Sequence, residues 1–183
     1  MRSNSKRALL LDAASRIVKE EGVGKLTLEA VAKEAGVSKG GLLHHFASKD
    51  DLIKGMVEED TDRFVADVES RAEKDPAARG RWSRAYVSST FDDVGETDGF
   101  KIALITALFA KPDLLGKLQD QYKIWQNQIQ EDGIDPVNAT IARLAADGLW
   151  FGELFGFGEL DADLRGKVYA RLLELTDAKE ADA

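Results

Sequence analysis

His44 and His45 are the only histidines of the 183-residue chain, and they stand side by side within "AGVSKGGLLHHFASKDDL", residues 35–52. Three kinds of chemistry compete for such a cluster: metal ligation, acid–base catalysis, and recognition of another molecule. Adjacent helical residues point about 100° apart, so the pair lacks the i, i+4 spacing with which two imidazoles grip one zinc ion. Cysteine is absent, so a transition metal would need carboxylates from elsewhere. No Ser or Asp is placed by the sequence to complete a nucleophile–base constellation with either imidazole. The expectation is a chain that is not an enzyme and carries no metal and no cofactor. A structural role or a recognition role remains for the histidines.

The residues that would position them are capped helices. A first helix fits residues ~5–21, with Leu10, Ala13, Ala14, Ile17 and Val18 on one face and Gly22 as a stop. Thr27 caps a second, short helix, with Leu26 and Val31 at the positions of a hydrophobic staple, and Gly36 ends it. Ser38 caps a third helix, with Val37 and Leu42 as its staple. Ser48 caps a fourth, long helix, with Asp51 three residues on as in a capping box. Two short helices joined by the tight turn "GVS" match a helix-turn-helix, with the first helix as the remaining wall of a three-helix core. In such a unit the second helix of the pair lies in the major groove of DNA, its first residues nearest the base edges. Gly40 and Gly41 fall at its second and third positions, where each costs about 1 kcal/mol of helix stability relative to Ala. That cost is understandable if the backbone must approach a phosphate or base edge closely, and the alternative is a frayed helix start or a loop.

Charge agrees with where DNA would dock. The net charge is −8, yet residues 1–55 hold ten Lys/Arg against seven Asp/Glu. An acidic chain of this kind confines a polyanion to its first third, because phosphate binding depends on nearby cations. At 44% hydrophobic the chain can bury a real core. No apolar run approaches the ~18 residues of a membrane span, and Asp12 and Arg16 interrupt the N-terminal region too early for a signal-peptide core. A cytoplasmic chain with no membrane partner is expected.

The stretch "TLEAVAKEAGVSKGGLLHHFASKDDLI" resembles the DNA-binding signature of the TetR family of bacterial transcriptional regulators. Thr27, Val31, Ala32, Ala35, Gly36, Val37, Ser38, Gly40, Leu42, Phe46, Lys49 and Leu52 fall in register with it, and the likeness covers about residues 8–55. The resemblance implies an all-α fold of about nine helices. A three-helix helix-turn-helix unit (residues 1–47) would precede a helical ligand-binding and dimerisation domain (residues 48–183). It implies phosphate contacts by Thr27 and Lys49, and places Ser38, Lys39, Gly40 and Gly41 at or near the DNA surface. One residue departs from the pattern: Leu43 stands where the family usually has a Tyr that reaches the DNA backbone. Leu43 would lose that contact or replace it by apolar contact with a thymine methyl, leaving His44 as the next residue to reach DNA. His45 falls at a position usually filled by His or Tyr, and would face partly inward.

Beyond residue 55 the resemblance is architectural. Helices are expected over ~78–93, ~99–110, ~112–132, ~136–156 and ~161–177. Ile141, Leu144, Ala145, Gly148, Gly152 and Phe155 with Val168, Leu172 and Leu175 form a seam. The resemblance implies that this last helix pair forms a four-helix dimer interface with its twin, with Gly148 and Gly152 permitting close helix contact; the alternative is an ordinary intramolecular core. Tyr86, Phe91, Leu104, Leu108, Trp125 and Phe151 are either plain core or, as the resemblance implies, the lining of an apolar cavity between helices. No Arg or Lys is clearly placed for an anionic head group, so the ligand expected is apolar or amphipathic. The resulting expectation is a homodimeric repressor on a palindromic double-stranded DNA operator, released by such a ligand. The alternatives are a DNA-binding regulator without a small ligand, or an all-α carrier or enzyme using the aromatic cavity.

Overall fold

A computed structural model describes residues 2–93, 101, 102, 105, 107 and 115–177. Among them the regular elements are all helical. They are α1 (Arg2–Glu21), a 3-10 turn (Val23–Lys25), α2 (Leu28–Glu34), α3 (Lys39–Leu43), α4 (Lys49–Lys74), α5 (Arg81–Asp93), α6 (Gly116–Gln130), α7 (Pro136–Phe155) and α8 (Ala162–Leu175). The all-α class is thus the one the spacing predicts. Of the helix expected over ~99–110, residues 101, 102, 105 and 107 are described and are helical. Leu104 and Leu108 lie outside the described residues. The described residues form two compact units, one within 1–61 and 98–118 and the other within 62–97 and 119–183.

In the first unit α1 buries Leu10, Leu11, Ala13, Ala14, Ile17 and Val18 against Leu26, Val31, Ala32, Leu42 and Phe46. Leu52, Ile53, Met56 and Val57 from the first turns of α4 join the same core, so the packed unit runs past the expected domain start at the α4 cap. Helices as short as α2 and α3 are not stable alone, and burial of Val31 and Leu42 with a side-chain cap on each is what holds them. Thr27 Oγ1 accepts from the Ala30 N–H at 3.1 Å, Ser38 Oγ from Gly41 N–H at 3.1 Å, and Ser48 Oγ from Asp51 N–H at 3.0 Å. Each such cap contributes about 1 kcal/mol. Gly36, at φ +67°, ends α2, and the N–H groups of Gly36 and Val37 close back on the Lys33 and Ala32 carbonyls. That closure sets the direction in which α3 leaves.

The second unit is organised around the start of α5. The buried Asp132 carboxylate accepts from Trp82 N–H (3.2 Å), Ser83 N–H (2.8 Å) and the Ser83 hydroxyl (2.9 Å), capping α5 from a distant part of the chain. Arg84 ties the preceding loop down: it donates to Asp75 and to the carbonyls of Ala77, Arg79 and Thr176. Asp135 caps α7 with Pro136 in its first turn, and Gly156 ends α7 in the left-handed region at φ +68°.

Candidate nucleic-acid interface

α3 presents a bare backbone. A Cβ built on Gly40 meets nothing within 4 Å, and one on Gly41 meets only Ser38 Oγ at 3.3 Å. Neither glycine has a positive φ, so turn geometry requires neither, and only Gly41 has an internal neighbour, the capping Ser38 hydroxyl, against which a Cβ would press. Lys39, Gly40, Gly41, Leu43 and His44 are exposed, while Leu42 and Phe46 point into the core. Leu43 is 40% exposed, an apolar side chain on the outer face where the signature has its Tyr. His44 is the C-cap of α3 and His45 is half-buried; their rings meet edge to face at 5.4 Å. The pair therefore sits just past the end of α3 rather than within it, because the five-residue helix ends at Leu43.

Thr27 and Ser38 use an oxygen lone pair as a helix cap, which leaves each hydroxyl proton free to donate outward. Lys49 is half-buried and gives one of its three N–H donors to the Val23 carbonyl at 3.1 Å, pinning the 3-10 turn to the start of α4. Lys39 forms an ion pair with Glu29 in the first turn of α2. The hydrogen bond from Lys39 holds the Glu29 carboxyl below its ordinary value, with the Glu29 backbone N–H adding to it. Sequence reasoning missed Glu29. Its only signal is a carboxylate ten residues before a lysine, and the two meet only once the turn has folded.

The expected ligand-lining residues do not form one wall. Tyr86 and Trp125 come together at 5.4 Å, with Phe64 at 5.6 and 5.3 Å from them and Tyr122 at 5.1 Å from Trp125. Phe91 does not join them. It lies five residues after Tyr86, about 140° around the helix, and packs instead with Val87, Ala142, Ala146, Leu172 and Tyr169. Phe151 is exposed beside Phe155 and Phe157. A shallow cleft too tight to hold a water molecule is lined by Val68, Trp82, Tyr86, Trp125, Gln128 and Ile129.

A cation, Arg143, also stands at the aromatic group, but it is already paired within the chain. Arg143 donates to Asp147 Oδ2 at 2.7 Å and to Gln126 Oε1 at 2.8 Å, and Tyr86 donates to Asp147 Oδ1 at 2.6 Å. The i, i+4 spacing of Arg143 and Asp147 is visible in the sequence, but the Tyr86 partner is not. Burial pushes the Tyr86 phenol well up, and also raises the Tyr122 phenol and the Asp147 carboxyl.

The seam residues divide as well. Ile141, Leu144 and Gly148 lie on an exposed stripe of α7 with Val137 and Phe151, and Phe155 is half-buried beside it. Leu172 is buried in its own unit against Phe91, Ala142 and Ala146, with Ala145, Val168 and Leu175 packed around it. Gly152 is small for a local reason: a Cβ there would come 3.1 Å from the Phe157 carbonyl oxygen, where Phe157 N–H closes on the Gly152 carbonyl. Gly148 alone of the two glycines faces open space.

Comparison with known proteins agrees with this architecture. Residues 10–56 match the model for bacterial regulatory proteins of the tetR family, and residues 80–177 match that for the tetracyclin repressor-like C-terminal domain. The HTH-type transcriptional regulator BetI of Burkholderia thailandensis is 37% identical over 89 residues, 48% of this chain and 45% of that protein. The chain thus spans less than half the length of the curated relative it matches. Two solved structures share the fold. The multidrug binding protein EbrR, complexed with ethidium, is 24% identical at a TM-score of 0.67, covering 91% of this chain and 97% of that one. The fatty acid degradation regulator FadR from Bacillus halodurans is 20% identical at a TM-score of 0.66, covering 92% and 94%. With the helix-turn-helix and more than half of the chain matched separately, the protein belongs to the TetR family of transcriptional regulators.

Proposed function

We propose that this regulator is a cytoplasmic homodimeric repressor whose α3 enters the major groove of a palindromic operator. The observation that carries this reading is the bare N-terminal half of α3. Gly40 lowers helix stability, and among the described residues nothing within 4 Å of its Cβ position repays that loss, so its use lies in close approach to an outside surface, with Gly41 beside it. Thr27, Ser38, Lys39, Lys49 and His44 surround that surface as donors to phosphate, and Leu43 supplies apolar contact to a thymine methyl. The exposed apolar stripe of α7, with Ile141 and Leu144 at its centre, supports pairing of two copies, which a two-fold operator requires.

Release by a small apolar or amphipathic ligand is the second part of the proposal, supported by the ring cluster of Tyr86, Trp125, Phe64 and Tyr122. The cleft beside these rings is too tight to hold even a water molecule, so a ligand must part the rings. The same observation favours the alternative of a regulator without a small ligand. A gel shift with DNA from upstream of the protein's own gene tests operator binding, and absence of a shift at low salt refutes it. A thermal-shift screen of small apolar compounds, with ethidium as a reference probe, separates the two versions. A compound that raises the melting temperature and releases the DNA supports the ligand-responsive one.

A further inference from the structure

Lys39 is the only Lys or Arg between Ser38 and Ser48, so it is the one fixed cation on the helix that reads DNA. It is already neutralised: the Glu29 carboxylate, from the first turn of α2, sits within hydrogen-bond distance of its ammonium. Both side chains remain exposed, Lys39 at 59% and Glu29 at 64%, so the pair is open to a competing anion. An exposed ion pair of this kind contributes little to folding stability. It matters for binding, because a phosphate arriving at Lys39 meets a carboxylate at the same point. We propose that Glu29 sets the strength with which α3 engages DNA: it occupies the Lys39 ammonium, and a DNA phosphate must displace it before Lys39 adds to binding. This rests on the assignment of α3 as the reading helix.

The consequence is that Lys39 contributes less to DNA affinity than its position suggests, and binding leans on Gly40, Gly41, Leu43 and the flanking donors. An ion pair that masks a non-specific contact in this way lowers the affinity for every duplex through one residue. Specific contacts elsewhere are untouched.

The test starts from a duplex selected by the wild-type protein out of a random-sequence library. Fluorescence anisotropy with that duplex then compares wild type, E29Q, E29A, K39A and E29Q/K39A at about 50 and 200 mM salt. Thermal melts check that each variant is folded, and two replacements of Glu29 keep a change in helix propensity from passing for a change in charge. E29Q and E29A are expected to bind several-fold tighter at the lower salt. One more neutralised phosphate steepens the salt slope by about 0.9, so that advantage shrinks about threefold over a fourfold rise in salt. K39A is expected to cost little while Glu29 is present and about tenfold in the E29Q background, near 1.4 kcal/mol. Equal cost of K39A in both backgrounds overturns the proposal, and so does E29Q binding no tighter than wild type. A selection that recovers no duplex refutes the DNA-reading assignment itself, and this proposal with it.

Discussion

Replacing Gly40 by Ala separates what the fold wants from what recognition wants. Gly40 sits at the second position of α3, without a positive φ, and a Cβ there meets nothing within 4 Å. Among the described residues nothing resists the methyl group. Ala loses less backbone entropy on folding than Gly, so Gly40→Ala should stabilise the protein by about 0.4–1 kcal/mol. For a chain of this size that corresponds to a rise of roughly 1–4 °C in melting temperature. On DNA the sign reverses. With α3 reading the groove as proposed, the added methyl stands on the approaching face, and holding the backbone off a phosphate or base edge by part of an ångström should forfeit a contact worth about 1–3 kcal/mol. Gly40→Leu, with more volume at the same open site, should weaken binding further and still fold.

Gly41→Ala is the internal control, because its Cβ would press on Ser38 Oγ at 3.3 Å, the atom that caps the helix at 3.1 Å from Gly41 N. Its stability gain should be smaller than that of Gly40→Ala or absent. Urea denaturation measures one quantity and fluorescence anisotropy with the selected duplex the other. A Gly40→Ala protein that is more stable and binds DNA as tightly as wild type refutes the close-approach argument. One that is less stable refutes the open space from which the magnitude was worked.

Three further outcomes test the second unit. Gly80, at φ +77°, would carry a Cβ 2.1 Å from the Thr176 carbonyl oxygen, so Gly80→Ala should cost at least about 2–4 kcal/mol in urea denaturation; a loss below about 0.5 kcal/mol contradicts this packing. The hydrogen bond from Arg84 holds the Asp75 carboxyl below its ordinary value near 3.8, with Ala77 N–H adding to it. The folded state therefore binds that proton more weakly than the unfolded one. The stabilisation is present above the ordinary value and is lost as pH falls through the lowered one. Asp75→Asn should accordingly be less stable at pH 7 and should show a flatter loss of stability below about pH 4; acid limbs of equal steepness for the two proteins would rule this out. Leu144, 55% exposed on the α7 stripe, should when changed to Glu shift the protein to monomer in sedimentation velocity, without a comparable loss of melting temperature. A Leu144→Glu protein that sediments as wild type removes this stripe from the interface.

How much of this was legible in the sequence depends on the distance over which each feature is encoded. The caps at Thr27, Ser38 and Ser48 and the buried staple residues Leu26, Val31 and Leu42 are written within five residues of one another, and the structure has each where the spacing puts it. Asp132 capping α5 is not legible, since about fifty residues separate donor and acceptor and no periodicity links them. The Glu29–Lys39 pair and the Tyr86–Asp147 bond are hidden for the same reason. Phe91 shows a different limit: the sequence allows it as core or cavity lining, and five residues of helix turn it away from Tyr86 to a face where Tyr169 and Leu172 receive it as core.

The glycines make the point most sharply, because sequence reasoning gave Gly40, Gly148 and Gly152 one shared explanation, close approach to something outside. Gly152 is accounted for within the chain by the Phe157 carbonyl, 3.1 Å from where its Cβ would be. Gly40 and Gly148 find nothing within 4 Å. A glycine that costs helix stability and fills no internal need is consistent with an absent partner, and the proposed function puts Gly40 toward DNA and Gly148 toward a second copy of the chain. A matched pair of substitutions carries the argument to a measurement. Gly148→Leu should impair self-association with no direct effect on half-site contacts, whereas Gly40→Leu should impair DNA binding and leave the sedimentation coefficient unchanged. If Gly40→Leu changes the sedimentation coefficient, or Gly148→Leu leaves it unchanged, one of the two faces has been assigned to the wrong partner.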